Sequence, residues 1–400
     1  MGHDCTAHAT DSASLPGLLA GYRPGWGLER DFYTDPAIFA VEMERIFRRE
    51  WLFAGHHSRI PNPGDYFTFS VGGESLIIVR AQDGAINALG NVCRHRGTRL
   101  CVADEGKVGK KLVCPYHQWA YELDGKLAIA RHMPEGFKRE DFTLGRARTQ
   151  VVEGLIFVNF DERAPALEVP GARHLRANGF PDAKLAARKT YHIKSNWKIL
   201  LENFLECYHC GVVHPEYSRA MAGAATSYTS EADRDREAGA EHAKAFARRR
   251  AGDDRPVHFH FRQGFQTQSL DGKPVAPLMT DGIDYDGTAW SAWVGYTVEA
   301  EINPDHAVLF RFIPLSAEIT EIDVSWLVRG DAVEGRDYDR DRVMDFWRIT
   351  GEQDWNISEV THSGVRSSFY KPGPYSHAEG GAMGFIDWYI TNMRERAGAR

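Results

Sequence analysis

Four residues in the first third of the chain have the types and spacing of a metal centre. Cys93 and His95 flank Arg94, and after eighteen intervening residues Cys114 and His117 enclose Pro115-Tyr116. In an extended loop, positions i and i+2 point to the same side, so Cys93 and His95 can reach one centre. A tight turn set by Pro115 brings Cys114 and His117 together. Each arm therefore offers one thiolate and one imidazole. Cys2His2 is also a zinc-finger set, but zinc fingers use a Cys-x-x-Cys arm with paired histidines later. Mixed arms suit a [2Fe-2S] cluster with both cysteines on one iron and both histidines on the other. Exchanging two thiolates for neutral imidazoles lowers the cluster's negative charge and raises its potential.

A second group lies in NWKILLENFLECYHCGVVHP, from Asn196 to Pro215. The spacing predicts a helix over 196–210. At 3.6 residues per turn, Trp197, Leu200, Leu201, Phe204, Leu205 and Tyr208 share a core-facing stripe. Glu202, Asn203, Glu206, His209 and Cys210 fall on the other face. The plain alternative is a surface helix with a solvated polar stripe. If that stripe faces a cavity, His209 sits one turn after Glu206, on the same face. Gly211 weakens the helix and Pro215 ends it, so His214 can swing round beside His209. Two imidazoles and a nearby carboxylate are the makings of a metal site.

Elements to position these groups can be read along the chain. Its 400 residues suggest two domains. The net charge of −7 is mild, and there is no basic tract, which argues against nucleic acid and anionic membranes. No apolar run is long enough to span a membrane, and the first twenty residues lack the pattern of a secretory signal. Six cysteines without such a signal read as cytoplasmic thiols or metal ligands, with Cys207 and Cys210 as packing residues. Residues 1–20 look frayed, and Asp35 to Trp51 reads as an amphipathic helix capped by Asp35-Pro36. Residues 51–160 form an all-β module of short antiparallel strands. A linker follows, from Asp161 to Pro181. After the 196–210 helix comes a charged run, SEADRDREAGAEHAKAFARRRAGDDR, expected to be an excursion or lid. Further strands and a helix over roughly Tyr338 to Asn356 complete an α+β second domain. The expected division is a helical segment over 1–50 packing on the catalytic domain, then 51–160, then 161–400.

Cys-Arg-His-Arg-Gly followed by Cys-Pro-Tyr-His-Gln-Trp-Ala-Tyr resembles the Rieske oxygenases, and so does Glu-Asn-Phe-Leu-Glu-Cys-Tyr-His-Cys-Gly-Val-Val-His-Pro. The resemblance implies an all-β Rieske domain and a helix-grip, START-like catalytic domain of antiparallel sheet with long helices. It makes Cys93, His95, Cys114 and His117 the [2Fe-2S] ligands, with Arg94, Arg96, Tyr116 and Trp119 around the cluster or at its docking surface. It assigns His209 and His214 to a mononuclear Fe2+. The third ligand is expected in DRVMDFWRITGEQDWNISE. There Val343, Phe346, Trp347, Thr350, Asp354 and Ile357 share a face, so Asp354 is an acid on an apolar stripe. A buried lone carboxylate is costly unless paired or metal-bound, which favours Asp354 over Glu352 and Glu359. Glu206 is implied to link the two metals across a subunit boundary. With Asn203 it is a candidate catalytic residue.

Glu at 206, where aromatic-ring dioxygenases usually carry Asp, resembles the oxygenases of choline, glycine betaine, carnitine and stachydrine. The implied function is O2-dependent hydroxylation of an N-methyl group, with N-demethylation. The implied partners are a small-molecule substrate, a separate NAD(P)H-dependent flavin and iron-sulfur reductase, and two further copies in a homotrimer. A quaternary ammonium calls for an aromatic cage. Candidate walls are Phe204, Phe259, Phe261, Trp290, Trp293 and Tyr296, and Arg262, Arg311 or His260 could meet a substrate carboxylate. The alternatives are an aromatic-ring hydroxylating oxygenase and a non-catalytic Rieske electron carrier.

Overall fold

The computed structural model describes residues 14–169, 171–222 and 257–395. The charged run from 230 to 255, expected as a lid, lies outside the described residues. No helix among the described residues is long and apolar enough to cross a membrane.

The strand-rich first part builds two antiparallel sheets. The larger has seven strands, running in space Leu52–His56, Leu155–Asn159, Arg146–Val152, Ile86–Gly90, Glu74–Arg80, Asp65–Val71 and Glu105–Lys107. Gly72 and Gly73, both at positive φ, form the two-residue turn that pairs Val71 with Glu74. A smaller sheet of Lys111–Val113, Ala120–Glu122 and Leu127–Ile129 carries the second Cys/His arm between its first two strands.

The second part is built on a six-stranded antiparallel sheet. Its spatial order is Ala183–Ile193, Thr320–Arg329, Ala307–Pro314, Val298–Ile302, Thr288–Val294 and Val257–His260. One face, with Val308, Phe310, Phe312, Val324 and Trp326, packs against the helices. The other, with Ala292, Val294, Leu309 and Leu327, meets Phe53, Leu155 and Phe157 of the first part. Covered on both sides, its inner strands Val298–Ile302 and Ala307–Pro314 are buried along their whole length.

Several boundaries differ from the sequence expectations. The helix expected over 196–210 is Trp197–Phe204 alone, capped by Asn196, whose side chain accepts from Lys198 N. Beyond it the Glu206 carboxylate accepts from Tyr208 N, and a Cys207–Cys210 disulfide closes the turn. Those partners hold the backbone out of a helix. Tyr208, expected on the buried stripe, is exposed. Cys207 and Cys210, expected as packing thiols, are bonded to each other. The long helix runs Arg340–Val365, past the expected end at Asn356, because no glycine or proline interrupts residues 352–363. Residues 35–51 give an α-helix over Pro36–Glu42 and a π turn over Met43–Phe47. Leu15–Gly21, expected as frayed, is helical and buries Leu18 and Leu19.

A buried ionic knot fixes the helix before the site. Lys198 Nζ donates to Glu42 Oε1 at 2.6 Å, and both side chains are fully buried. Trp197 Nε1 and Tyr389 OH donate to the same carboxylate at 2.8 and 2.6 Å. The N-terminal segment, the Trp197–Phe204 helix and the C-terminal helix Gly380–Glu395 are thus tied at one point.

Candidate metal centres and the adjoining cavity

The first centre sits at the tips of two loops. Cys93 N bonds Thr98 O and Gly97 N bonds Cys93 O, each at 2.9 Å, in a turn that Gly97 closes at φ 76°. Cys114 N bonds Trp119 O at 2.8 Å, and Gln118 N bonds Cys114 O at 3.0 Å. Both cysteines are buried, whereas His95 and His117 are exposed, with ring centroids 4.7 Å apart. Trp119 stacks on His95 at 4.8 Å, and the Tyr116 ring lies 3.8 Å from that of His117. Tyr121 OH lies 3.3 Å from Cys93 Sγ and accepts from Arg94 N at 3.0 Å. Burial pushes the Cys114 thiol up, while the backbone N–H groups of Tyr116 and His117 favour its thiolate. Two inner sulfurs and two outer imidazoles suit a two-iron cluster whose histidine edge faces outward.

The second centre is assembled from residues 145 positions apart. His209 Nε2 lies 3.1 Å from His214 Nε2 and 3.2 Å from Asp354 Oδ1, and His214 Nε2 lies 2.9 Å from the same oxygen. Cis donors around an octahedral metal with bonds of about 2.1 Å stand about 3.0 Å apart, so this near-equilateral triangle fits one face of such a metal. Burial alone would raise the Asp354 carboxyl and depress His209. Their mutual hydrogen bond, those to His214 and Glu206, and the charges of the group prevail, lowering Asp354 and lifting His209 to about 10. This group of donors has a strong demand for positive charge.

Two side chains set the imidazole tautomers. His209 Nδ1 is 2.6 Å from Glu206 Oε1, and His214 Nδ1 is 2.8 Å from Gln353 Oε1. With each Nδ1–H donating outward, the Nε2 atoms are left to face a cation held beside the Asp354 oxygen. Gln353 is held in turn by donating to Glu216 Oε2 at 3.0 Å. Asn203 Nδ2 lies 3.4 Å from His209 Nε2. Glu352 pairs with Lys189 and Tyr191, and Glu359 accepts from Lys194 N, so neither joins the triangle.

The triangle opens onto a cavity between the helices and the sheet. Phe204, Tyr217, Phe259 and Trp347 supply its aromatic wall, and Ser291, Glu299 and Glu301 line its sheet side. Phe204 and Phe259 stand where the aromatic-cage expectation put them. Phe261, Trp290, Trp293 and Tyr296 do not line the cavity. Trp290 and Trp293 are three apart on one strand and so face opposite sides of the sheet. Trp290 packs near His174 and His258, and Trp293 lies behind Phe204, stacked on Phe312 at 6.2 Å. Tyr296 packs on Phe385 and Trp388 beyond the strand end, and Phe261 lies past the end of its own strand, bridged to Met221. None of the three candidate carboxylate partners lines the cavity. Arg311 is bonded to Glu321 and Ala54 O, Arg262 to Ser218 O, and His260 is exposed.

Sequence reasoning missed Tyr121, Tyr217, Trp347, Gln353, Glu299 and Glu301. Only Gln353 had a local signal, as the residue next to an acid on an apolar helix face. Trp347 was placed on that face, but the stripe did not show that it borders a cavity.

Two family models match the chain in succession. A model for the Rieske [2Fe-2S] domain matches residues 50–143, and one for the ring hydroxylating alpha subunit catalytic domain matches residues 180–395. A glycine betaine monooxygenase oxygenase subunit of Pseudomonas aeruginosa is 34% identical over 95% of this chain and 92% of its own. Its counterpart in Chromohalobacter salexigens is 35% identical over 93% and 87%. A solved quaternary ammonium Rieske monooxygenase superposes with a TM-score of 0.75 at 25% identity, covering 94% of this chain and 98% of that one. With full-length relatives of this kind, the chain belongs to the Rieske non-haem iron oxygenases, as an alpha subunit joining a [2Fe-2S] domain to an iron-dependent catalytic domain supplied with electrons by a reductase.

Proposed function

We propose that the chain hydroxylates an N-methyl carbon of a quaternary ammonium substrate of the betaine type. The observation that carries this reading is the aromatic-walled cavity directly beside the His209–His214–Asp354 triangle. A quaternary ammonium offers no N–H to hydrogen-bond, so ring faces are its natural partners. Phe204, Tyr217, Phe259 and Trp347 present such rings. The glycine betaine monooxygenase relatives support the same substrate class.

In this proposal His209, His214 and Asp354 hold one Fe2+, and Cys93, His95, Cys114 and His117 hold the cluster. The iron supplies O2 activation, with one oxygen atom going to the methyl carbon and the other leaving as water after two electrons and two protons are added. Glu206 and Gln353 keep the Nδ1 protons of the two histidines pointed away from the metal position. The ring walls exclude water and hold the N-methyl group beside the triangle. The N-hydroxymethyl product then breaks its C–N bond, releasing formaldehyde, a proton and the tertiary amine. NAD(P)H feeds the cluster through a separate flavin and iron-sulfur reductase, and the need for that donor supports a cytoplasmic location. The exposed His95 and His117 edges and the inter-subunit electron transfer of the solved relative support a homotrimer in which Glu206 receives a neighbour's Rieske histidine.

The experiment is a substrate panel with a reconstituted reductase. Glycine betaine, stachydrine, choline and carnitine are scored for coupled NADH oxidation, O2 uptake and formaldehyde. Formaldehyde matching O2 consumed is expected with at least one. Dihydrodiol or phenol from aromatic substrates, without formaldehyde, would replace this reading with ring hydroxylation.

A further inference from the structure

Resting on the proposed function, we propose that Glu301, seconded by Glu299, makes this cavity prefer a cationic substrate over a neutral one of the same shape. The two residues lie two apart on the strand Val298–Ile302 and so point to one side of the sheet, the side of the metal triangle. Their cross-strand partners are Ser291 and Trp293. Glu299 and Glu301 are only 5% and 4% exposed, yet both line the cavity.

Glu301 is presented deliberately. Its Oε2 accepts from Gln268 Nε2 at 3.0 Å. The carbonyl of that amide is occupied by Trp347 Nε1 at 2.7 Å and Asn303 Nδ2 at 2.8 Å, so its NH2 group is fixed toward the carboxylate. Ser291 Oγ donates to Glu299. No lysine or arginine is among the described residues lining the cavity. Burial, with the neighbouring Glu299, pushes the Glu301 carboxyl well above the usual carboxylate range. A neutral aromatic ring would leave that cost standing. A quaternary ammonium offsets it by Coulomb attraction spread across its methyl groups, which needs no hydrogen bond. The aromatic wall accounts for recognition of an apolar, rounded shape, and the carboxyls account for recognition of charge.

The test compares glycine betaine with 3,3-dimethylbutanoate, its uncharged-carbon isostere, by calorimetric titration of the metal-loaded enzyme. The wild type is expected to bind glycine betaine at least about tenfold more tightly, and Glu301→Gln to cut that preference by about tenfold. The variant's visible spectrum and iron content should match the wild type. Equal binding of the two probes by the wild type, binding of neither, or an undiminished preference in Glu301→Gln would overturn the inference. If Glu301→Gln fails to load its metals, Glu299→Gln and the wild-type comparison decide. A retained preference without formaldehyde release would sink the proposed demethylation and leave the charge selectivity standing. Formaldehyde release without a preference would do the reverse.

Discussion

Changing Glu206 to Gln separates two jobs that one carboxylate performs. Its Oε1 accepts the His209 Nδ1 proton at 2.6 Å, and its side chain is only 9% exposed, so solvent screens it weakly. Glutamine keeps one carbonyl oxygen that can still accept that proton, while its NH2 group replaces the oxygen that accepts from Tyr208 N. The His209 tautomer should therefore survive. What is lost is a unit of negative charge behind the imidazole. Replacing a ligand-orienting group of this kind costs about 10–100-fold in metal affinity, or about 1.4–2.7 kcal/mol. The conserved acceptor puts Glu206→Gln near the lower end. Iron content in saturating Fe2+ should stay near one mononuclear iron per chain. An electron bridge makes a different demand, because turnover should then fall by more than the 100-fold that orientation alone explains. The assay combines iron analysis, the visible spectrum, steady-state turnover and the rate at which the reduced cluster is reoxidised by O2 and substrate. Slow reoxidation with both metals present is expected. Wild-type reoxidation and turnover would refute the bridge and leave Glu206 as an orienting group only.

Asp354→Ala removes the one anionic donor of the triangle, and the mononuclear iron should be lost while the cluster's visible absorption persists. Iron analysis reads this directly, and a retained mononuclear iron would remove Asp354 from the ligand set. Lys198→Met leaves the Glu42 carboxylate buried with two neutral donors and no counter-charge. Breaking one side of a buried pair costs about 3–5 kcal/mol, so the denaturant midpoint of the catalytic domain should drop sharply. The double variant Glu42→Gln/Lys198→Met should recover part of that loss, because the orphaned charge is gone.

The legible parts of this protein were those in which chemistry is local. Cys93 and His95, or Cys114 and His117, belong to single turns whose backbone hydrogen bonds span only a few residues. His209 and His214 are five apart, and Pro215 ends the intervening turn, so their convergence needed no distant partner. Asp354 was visible because one acid stood on an otherwise apolar helix face. The helix expected over 196–210 stops at Phe204 although its apolar periodicity continues to Tyr208. Side-chain capping by Glu206 and the Cys207–Cys210 bond compete with helix only once the turn is formed.

Sequence alone carried which Cys, His and Asp side chains could meet in two groups, and the order of a strand-rich part before a mixed one. Tertiary structure alone decided which side of each strand sees the cavity. Trp290 and Trp293 look like a pair by type, yet strand geometry sends them to opposite faces. In the run Val-Glu-Ala-Glu-Ile two acids alternate with apolar residues, a pattern that by itself leaves open what the acids face. Packed helices on one face and the Rieske domain on the other remove the solvent, and Glu299 and Glu301 become buried groups facing substrate. Alternation along a strand tells which residues share a side. It cannot tell what the folded chain places against that side, because that depends on contacts hundreds of residues away.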